Sequence, residues 1–257
     1  MDPLIVVFGF GVGVLVGMTG VGGGSIMTPL LILVFGVKPV LAIGTDLGYA
    51  AITKTLGGWR HLRSKAVDIP LALWMAAGSI PGALGGVAVL EAFDIDEDVL
   101  LLMVAFAVLL TGLMTIGRAL LRPPEDERHS INMKQPRTRI RAVLLGIAVG
   151  IVLGMTSAGS GALIAVGLIV LFRMNPRRVV GTDVFHAAIL LWAAAIAHLV
   201  SGNVDFGLMG NLLVGSLPGV WLGSSLADRV PQSFLRKLLG SVLIAAGIAL
   251  VAKAGFF

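Results

Sequence analysis

The sequence predicts an all-α polytopic membrane protein made of two homologous four-segment halves. Hydrophobic residues make up 57% of the chain and charged residues 13%, which is too little polar surface to cover a soluble globule. Apolar runs of about 20 residues, the length that crosses a bilayer, recur along the whole chain. The two halves also align with each other residue by residue, which indicates an internal duplication.

A charged stretch divides the chain between its fourth and fifth apolar segments. The first repeat covers residues 1–121, the charged linker 122–139, and the second repeat 140–257. Charge and proline predict a flexible polar linker rather than another span. The eight segments lie at 4–35, 40–60, 69–90, 98–121, 141–172, 178–199, 206–226 and 234–256.

The duplication appears without a gap over about 70 residues when position 17 is aligned with position 154. Chance similarity between apolar helices would match Ala, Leu and Val, whereas here Asp, His and Pro match as well. The matched positions include Gly17-Met18-Thr19 with Gly154-Met155-Thr156, Pro39 with Pro176, Gly44-Thr45-Asp46 with Gly181-Thr182-Asp183, His61 with His198, and Val67-Asp68 with Val204-Asp205.

Basic residues in the loops predict that the halves are inverted-topology repeats. Arg60, Arg63 and Lys65 follow the second segment, whereas the equivalent loop at 201–203 carries no charge. The basic residues of the second half follow its first and third segments instead. Both halves obey the positive-inside rule only if the second is upside down. The linker is then cytoplasmic, and both chain termini lie on the opposite side.

Inverted repeats need an odd number of crossings in each half, so one of the four segments must not cross. The first and fifth are the longest, and glycine-rich breaks at 20–24 and 157–161 interrupt them. Two limbs of about 13 residues, or ~20 Å, reach past the bilayer midplane and return. The sequence therefore predicts re-entrant helical hairpins. The alternative is one long kinked helix in each half, which gives eight crossings.

The two breaks are the predicted site for a bound solute. A helix that resumes after a break directs free N–H groups and its positive dipole end at it, which suits an anion. Paired breaks at equivalent positions are typical of transport sites, although glycine also permits close helix crossing without any binding role. The predicted binding residues are Thr19, Gly20, Gly22, Gly23, Gly24, Ser25, Thr156, Ser157, Gly159, Ser160, Gly161 and Ala162.

The Gly-Thr-Asp motifs supply candidate coupling residues. Asp46 and Asp183 lie about two turns into their helices, where an acidic group is costly and suggests a proton carrier or an ion partner. The alternative is that Thr45, Thr182 and the two aspartates cap helix or hairpin starts by bonding backbone N–H groups.

Four further ionisable residues are candidates for coupling or gating. Lys54 either supplies positive charge to an anion or extends toward the interface without a chemical role. His61 and His198 occupy equivalent positions and either titrate or only form hydrogen bonds. His186 has no histidine counterpart, because Tyr49 stands at the matching position.

Composition excludes several classes of protein. The chain has no cysteine, so disulfides, thiolate metal sites and cysteine nucleophiles are absent. The sequence predicts no cofactor, no metal and no ATP-binding P-loop. The net charge of +5 is expected to orient the loops rather than to bind nucleic acid. The first apolar stretch lacks the basic leader and cleavage site of a signal peptide, so we interpret it as mature protein.

Together these residues give a chain that resembles the TauE/SafE family of sulfite exporters and related membrane permeases. The resemblance covers nearly the whole chain. It rests on GMTGVGGGSIMTP and GMTSAGSGALIAV, the P-x4-GTD that follows each, and two SxPG motifs. It implies transport of small sulfur-containing anions of the sulfite, thiosulfate or organosulfonate class, without fixing the substrate.

Three function classes remain, and the leading one is a secondary transporter of a small anion in a bacterial or archaeal plasma membrane. Its partners would be that anion and the lipid bilayer, with homo-oligomer formation left open. A passive anion channel would use the same backbone groups. A serine hydrolase using Ser160 and His198 is disfavoured, because Ala158 replaces a motif glycine and Gly23 stands at the equivalent of the serine. We therefore expect no enzymatic activity.

Overall fold

The computed structural model describes residues 3–19, 24–93, 95–120, 131–226 and 230–255. Within these ranges the chain is entirely α-helical, as the sequence predicts. The helices are α1 (Pro3–Thr19), α2 (Gly24–Leu33), α3 (Pro39–Arg63), α4 (Ile69–Ala92), α5 (Glu97–Leu120), α6 (Pro136–Thr156), α7 (Ala162–Phe172), α8 (Pro176–Val200), α9 (Phe206–Leu226) and α10 (Gln232–Lys253).

Proline starts several of the helices, because its missing N–H would have no partner in a first turn. Pro39 and Pro176 begin the equivalent helices α3 and α8. The Asn175 side chain caps α8 by accepting a hydrogen bond from the Arg178 N–H at 2.9 Å. Pro136 begins α6 within the stretch that the sequence assigns to the linker.

The fifth apolar segment is divided into two helices at its glycine-rich break, so it is not one continuous kinked helix. In the first segment, α1 and α2 lie on either side of residues 20–23, which are outside the described residues. The limbs have 17 and 10 residues in the first segment, and 21 and 11 in the fifth. The sequence predicts limbs of equal length, whereas the first limb of each pair is longer. The longer limbs are α1 and α6, and each packs along a helix of the other half, α1 along α9 and α6 along α4.

Glycine stripes make that packing close. An alanine Cβ at Gly9 would lie 2.9 Å from the Leu212 oxygen, and one at Gly17 2.8 Å from the Ser224 nitrogen, so α1 and α9 touch backbone to backbone. Contacting residue numbers rise together, so α1 runs parallel to α9, and α6 runs parallel to α4 in the same way. The stripes are Gly9, Gly13 and Gly17 in α1, Gly78, Gly82 and Gly86 in α4, Gly146, Gly150 and Gly154 in α6, and Gly215, Gly219 and Gly223 in α9.

Equivalent helices α3 and α8 pack against each other in opposite directions. Gly44, near the start of α3, lies against Asn203, which follows α8. At the other end of α3, a Cβ on Gly58 would lie 3.4 Å from the Phe185 Cα early in α8. The equivalent helices α5 and α10 are antiparallel as well, since residues early in one contact residues late in the other.

The helix directions define two ends of the molecule. At the linker end, α6 begins beside the start of α4, with the Arg139 guanidinium 5.1 Å from the centre of the Trp74 ring. At the terminal end, the Lys253 Nζ near the end of α10 donates to the Ile32 oxygen near the end of α2, at 2.8 Å. The end of α3, which is basic, and the start of α8 both lie at the linker end.

The exterior is suited to lipid. In the described part of the chain, six helices are long and apolar enough to cross a membrane by length and composition, namely α4, α5, α6, α8, α9 and α10. Helix α3 has 25 residues but also carries Asp46 and several basic side chains. Large apolar groups point outward, with Val200 84% exposed and Trp221 74%. The prediction of an all-helical polytopic membrane protein is confirmed.

Candidate functional site

The second glycine-rich break lies against the start of α2, which follows the first break. The Gly159 N–H donates to the Ser25 Oγ at 3.2 Å. A Cβ on Gly24 would lie 2.9 Å from the Ser157 oxygen, so only glycine fits there without movement. Ser25 and Ser157 are buried. Predicted binding residues from both halves therefore meet at one enclosed point.

Asp46 of α3 completes this meeting point. Its Oδ2 accepts hydrogen bonds from the Thr28 Oγ1 at 2.6 Å and the Ser157 Oγ at 2.7 Å. Its Oδ1 is buried and has no hydrogen-bond partner among the described residues. Thr28 was not among the predicted residues. It lies one helical turn after Ser25, and that spacing is the signal that could have identified it.

The backbone of the second break is sharply turned. Ser157 ends α6 in the left-handed region, at φ 57°, and Gly159 has φ 100°, where a side chain would be strained. The Thr156 Oγ1 donates to the Val152 oxygen at 2.6 Å and accepts from the Ala158 N–H at 3.3 Å.

Helix α7 resumes directly after this turn. Gly161 is its N-cap, and the neighbouring Ser160 and Ala162 are 3% and 2% exposed. The first N–H groups of a helix have no partner inside it. In α7 one of them, the Leu163 N–H, donates to the Gly159 oxygen of the break at 3.1 Å.

Part of the first break lies outside the described residues, including the predicted positions Gly20, Gly22 and Gly23. Thr19, the last residue of α1, donates its hydroxyl to the Leu15 oxygen at 2.7 Å. In the aligned repeats, Gly20 stands where the second half has Ser157. Since glycine has no side chain, the first half supplies no hydroxyl at the position equivalent to Ser157.

The threonines of the two Gly-Thr-Asp motifs hold the halves together. The Thr45 Oγ1 accepts from the Asp205 N–H at 3.0 Å, and the Thr182 Oγ1 accepts from the Asp68 N–H at 2.9 Å. Asp205 and Asp68 are equivalent residues that cap α9 and α4 with their side chains. Both threonines are fully buried in these contacts between halves.

Asp183 has different surroundings from Asp46. It is buried, and the charges that act on its carboxylate are those of Lys54 and Arg118. Both cations are 8% exposed. Arg118 was not predicted, although a single arginine near the end of an apolar segment is a signal for it. His61 and Lys54 line a common cavity at the linker end.

The two other candidate histidines, His186 and His198, are engaged in hydrogen bonds. The His186 Nε2 lies 2.9 Å from the Ser79 Oγ, and the His198 Nε2 donates to the Gly154 oxygen at 2.9 Å. In the described part of the chain no hydrogen bond joins His198 to Ser160, so the pair that a serine hydrolase needs is not formed.

Comparison with known proteins identifies the family. The family model of the sulfite exporter TauE/SafE matches residues 5–250. The chain belongs to the TauE/SafE family. Within the family, it is 38% identical over 256 residues to the "Probable membrane transporter protein YjnA" of Bacillus subtilis, covering 98% of this chain and 100% of that protein. No solved structure matches the chain significantly.

More distant relatives of this TauE/SafE protein also match over nearly their full length. The "Probable membrane transporter protein YdhB" of Bacillus subtilis is 28% identical, over 96% of this chain and 99% of that protein. The "Probable membrane transporter protein MJ0441" of Methanocaldococcus jannaschii is 23% identical, over 96% and 94%. The resemblance found in the motifs is confirmed, and this TauE/SafE member is an integral multi-pass membrane protein of a transporter family.

Proposed function

We propose that this protein is a secondary transporter of small sulfur-containing anions, of the sulfite, thiosulfate or organosulfonate class, bound between the two glycine-rich breaks. The observation that carries the proposal is the buried contact between Gly24–Ser25 of the first half and Ser157–Gly159 of the second. Unwound backbone deep in a membrane protein is tolerated where it is enclosed by protein or lines a cavity, and it commonly forms a transport site.

The chemistry at this contact favours an anion. An anion that leaves water needs several preplaced donors. Backbone N–H groups at the starts of α2 and α7 supply them, and each helix start adds partial positive charge of about +0.5. Ser25 and Ser160 add hydroxyls beside these donors. Donors of this kind avoid the roughly 2.5–3.5 kcal/mol insertion cost of a lysine or arginine.

Asp46 provides a route for proton coupling in this proposal. An ionised carboxylate beside the breaks would repel an anion, whereas a protonated one could donate its hydrogen to it. Anion binding and protonation of Asp46 would therefore favour each other. Its Oδ1, buried without a partner in the described structure, is the atom available for that hydrogen bond.

We further propose that the halves are inverted repeats and that α1–α2 and α6–α7 are re-entrant hairpins. The antiparallel packing of α3 on α8 and of α5 on α10 supports inversion, because equivalent spans of parallel repeats would point the same way. Helix α1 runs with α9 and α3, while α2 returns against α3, as the Thr28–Asp46 hydrogen bond requires. Residues 1–121 and 140–257 would then be the repeats.

The distribution of charge supports a cytoplasmic linker end. Most described lysines and arginines lie there, whereas Glu91, Asp96, Glu97 and Asp98 lie at the terminal end. Basic residues concentrate on the cytoplasmic side of membrane proteins. Those at the linker end are Arg60, Arg63, Lys65, Arg118, Lys134, Arg137, Arg139, Arg141, Arg173, Arg177, Arg178, Arg236 and Lys237.

The proposal is tested by uptake into proteoliposomes of isotopically labelled sulfite, thiosulfate, sulfate and methanesulfonate. We expect saturable uptake of at least one sulfur anion, accelerated by a pH gradient, with protein-free liposomes as the control. Flux that rises linearly with concentration would favour the passive channel. Absence of flux for all four anions would contradict the proposed substrate class.

A further inference from the structure

A second feature of the chain suits an anion and lies apart from the breaks. An open cavity of about 210 Å³ at the linker end is lined by residues of α1, α3, α8 and α9. Lys54, Arg60 and His61 line it, together with Gly17 near the end of α1, and no acidic residue of the described ranges is among its lining residues. Since a water molecule takes ~30 Å³ of liquid volume, the cavity has room for a small oxyanion and some of its hydration water.

Lys54 is the unusual member of this lining. Its side chain is 8% exposed, yet its Nζ is buried without a hydrogen-bond partner among the residues that the structure describes. Asp183 acts on it only at longer range, because no ion pair within 4.0 Å joins the two in the described structure. A buried ammonium group needs a nearby anion or acceptor to offset its lost hydration. The cavity beside it is where such an anion would fit.

The equivalent region of the second half shows that the fold does not require these cations. Leu191 stands at the position equivalent to Lys54, and Ala197 at that of Arg60. Leu191 is 1% exposed and His198 is fully buried, with its Nε2 bonded to the Gly154 oxygen. The second half is therefore packed tightly with apolar groups at the place where the first half has a basic cavity.

We propose that this cavity is a second anion-binding site, a vestibule that receives the substrate at the linker end before it reaches the breaks. In this arrangement the Lys54 Nζ, which is buried in the described structure, turns into the cavity to bind the anion, while the exposed Arg60 and the half-buried His61 attract it at the mouth. Gly17 lies three residues before the first break in the chain, so the vestibule would lead toward the substrate site. This inference rests on the proposed transport of small sulfur anions.

The test compares thiosulfate transport by purified protein in liposomes, with thiosulfate added at the linker side. Lys54→Leu copies the residue of the second half, Lys54→Arg keeps the charge, and Arg60→Ala copies Ala197. Arg63→Gln is the matched control, because Arg63 is exposed on the same helix and stacks on Trp59 at 3.9 Å outside the cavity.

We expect Lys54→Leu to raise the half-saturating thiosulfate concentration about ten-fold or more, with a maximal rate close to wild type because the breaks are intact. The half-saturating concentration of Lys54→Arg should remain within about three-fold of wild type, and that of Arg63→Gln should equal wild type. Arg60→Ala should raise the half-saturating concentration about two- to three-fold at low salt and less at high salt.

Wild-type concentration dependence in folded Lys54→Leu protein would overturn the vestibule while leaving anion transport in place. Arg60 is exposed, so the Arg60→Ala protein should fold even if Lys54→Leu does not. An unchanged half-saturating thiosulfate concentration in Arg60→Ala at low salt would then overturn the vestibule. If the wild-type protein neither binds nor moves thiosulfate, sulfite or methanesulfonate, the proposed function fails and the vestibule fails with it.

Discussion

Replacing Gly24 with alanine adds one methyl group at the point where the two halves meet. The new Cβ would lie 2.9 Å from the Ser157 oxygen, 3.2 Å from the Ser157 Oγ and 3.5 Å from the Asp46 Oδ2. The first two distances are shorter than ordinary contacts, so the break at Ser157 has to retreat. Its 2.7 Å hydrogen bond to Asp46 would be the first interaction to stretch.

The size of the effect follows from these contacts. Overpacking by one methyl group in a well-packed interior typically costs about 1–3 kcal/mol of stability. Displacing one donor from a charged partner costs about 1.5–3 kcal/mol, which corresponds to a roughly 10- to 100-fold loss of affinity for an anion held by the same backbone. We therefore expect Gly24→Ala to weaken thiosulfate binding by that factor while the protein remains folded.

Isothermal titration of thiosulfate, alongside thermal unfolding in detergent, measures both quantities. Gly11→Ala is the neutral control, because nothing lies within 4 Å of its added Cβ. Gly13→Ala is the packing control. Its Cβ would lie 2.8 Å from the Ser216 Cα between α1 and α9, so it should lower stability and spare affinity. Wild-type affinity in Gly24→Ala would refute the placement of the anion between the breaks.

Other predictions address coupling, topology and packing. Asp46→Asn should abolish the dependence of thiosulfate flux on the pH gradient in monodisperse protein, whereas unchanged dependence would leave Asp46 a structural residue. Single cysteines introduced at Ser130 and Gly255 should react with impermeant thiol reagents from opposite sides of the membrane. Labelling of both cysteines from the same side would contradict the re-entrant hairpins. Gly150→Ala, with its Cβ 2.8 Å from the α4 backbone, should cost about 1–3 kcal/mol in thermal unfolding. Gly85→Ala should leave the thermal stability unchanged, because nothing lies within 4 Å of its added Cβ.

Local sequence signals were enough to predict most helix starts and the positions of the glycine-rich breaks, although α6 begins at Pro136, inside the predicted linker. Pro39 and Pro176 start helices because proline suits a first turn, and the glycine-rich stretches separate α1 from α2 and α6 from α7. The matched Asp and Thr positions revealed the duplication, because such residues rarely recur by chance in apolar helices. These features depend on residues close together in the chain.

The contacts between the halves could not be predicted in the same way. Nothing near Thr45 shows that its hydroxyl bonds the N–H of Asp205, 160 residues away in the chain. Within the first half, the spacing of Thr28 from Ser25 places it on the same face of α2, but its hydrogen bond to Asp46 depends on how α2 packs against α3. The glycine stripes were visible as a pattern, but their partners depend on which helices lie side by side. Long-range pairing of this kind is set by the whole fold rather than by local propensity.

The glycine stripes have a consequence for how such a protein could have arisen. Helix α1 is covered by α9 and α4 by α6, so each half supplies the surface that covers the other half's broken segment. A chain of one half alone would leave its stripes facing lipid, and only a second copy in the opposite orientation would cover them. An ancestor of that length would thus have had to insert in both orientations and pair as an antiparallel homodimer. If the halves are inverted repeats, as proposed above, fusion would have removed that requirement and allowed the halves to diverge, as at Lys54 and Leu191.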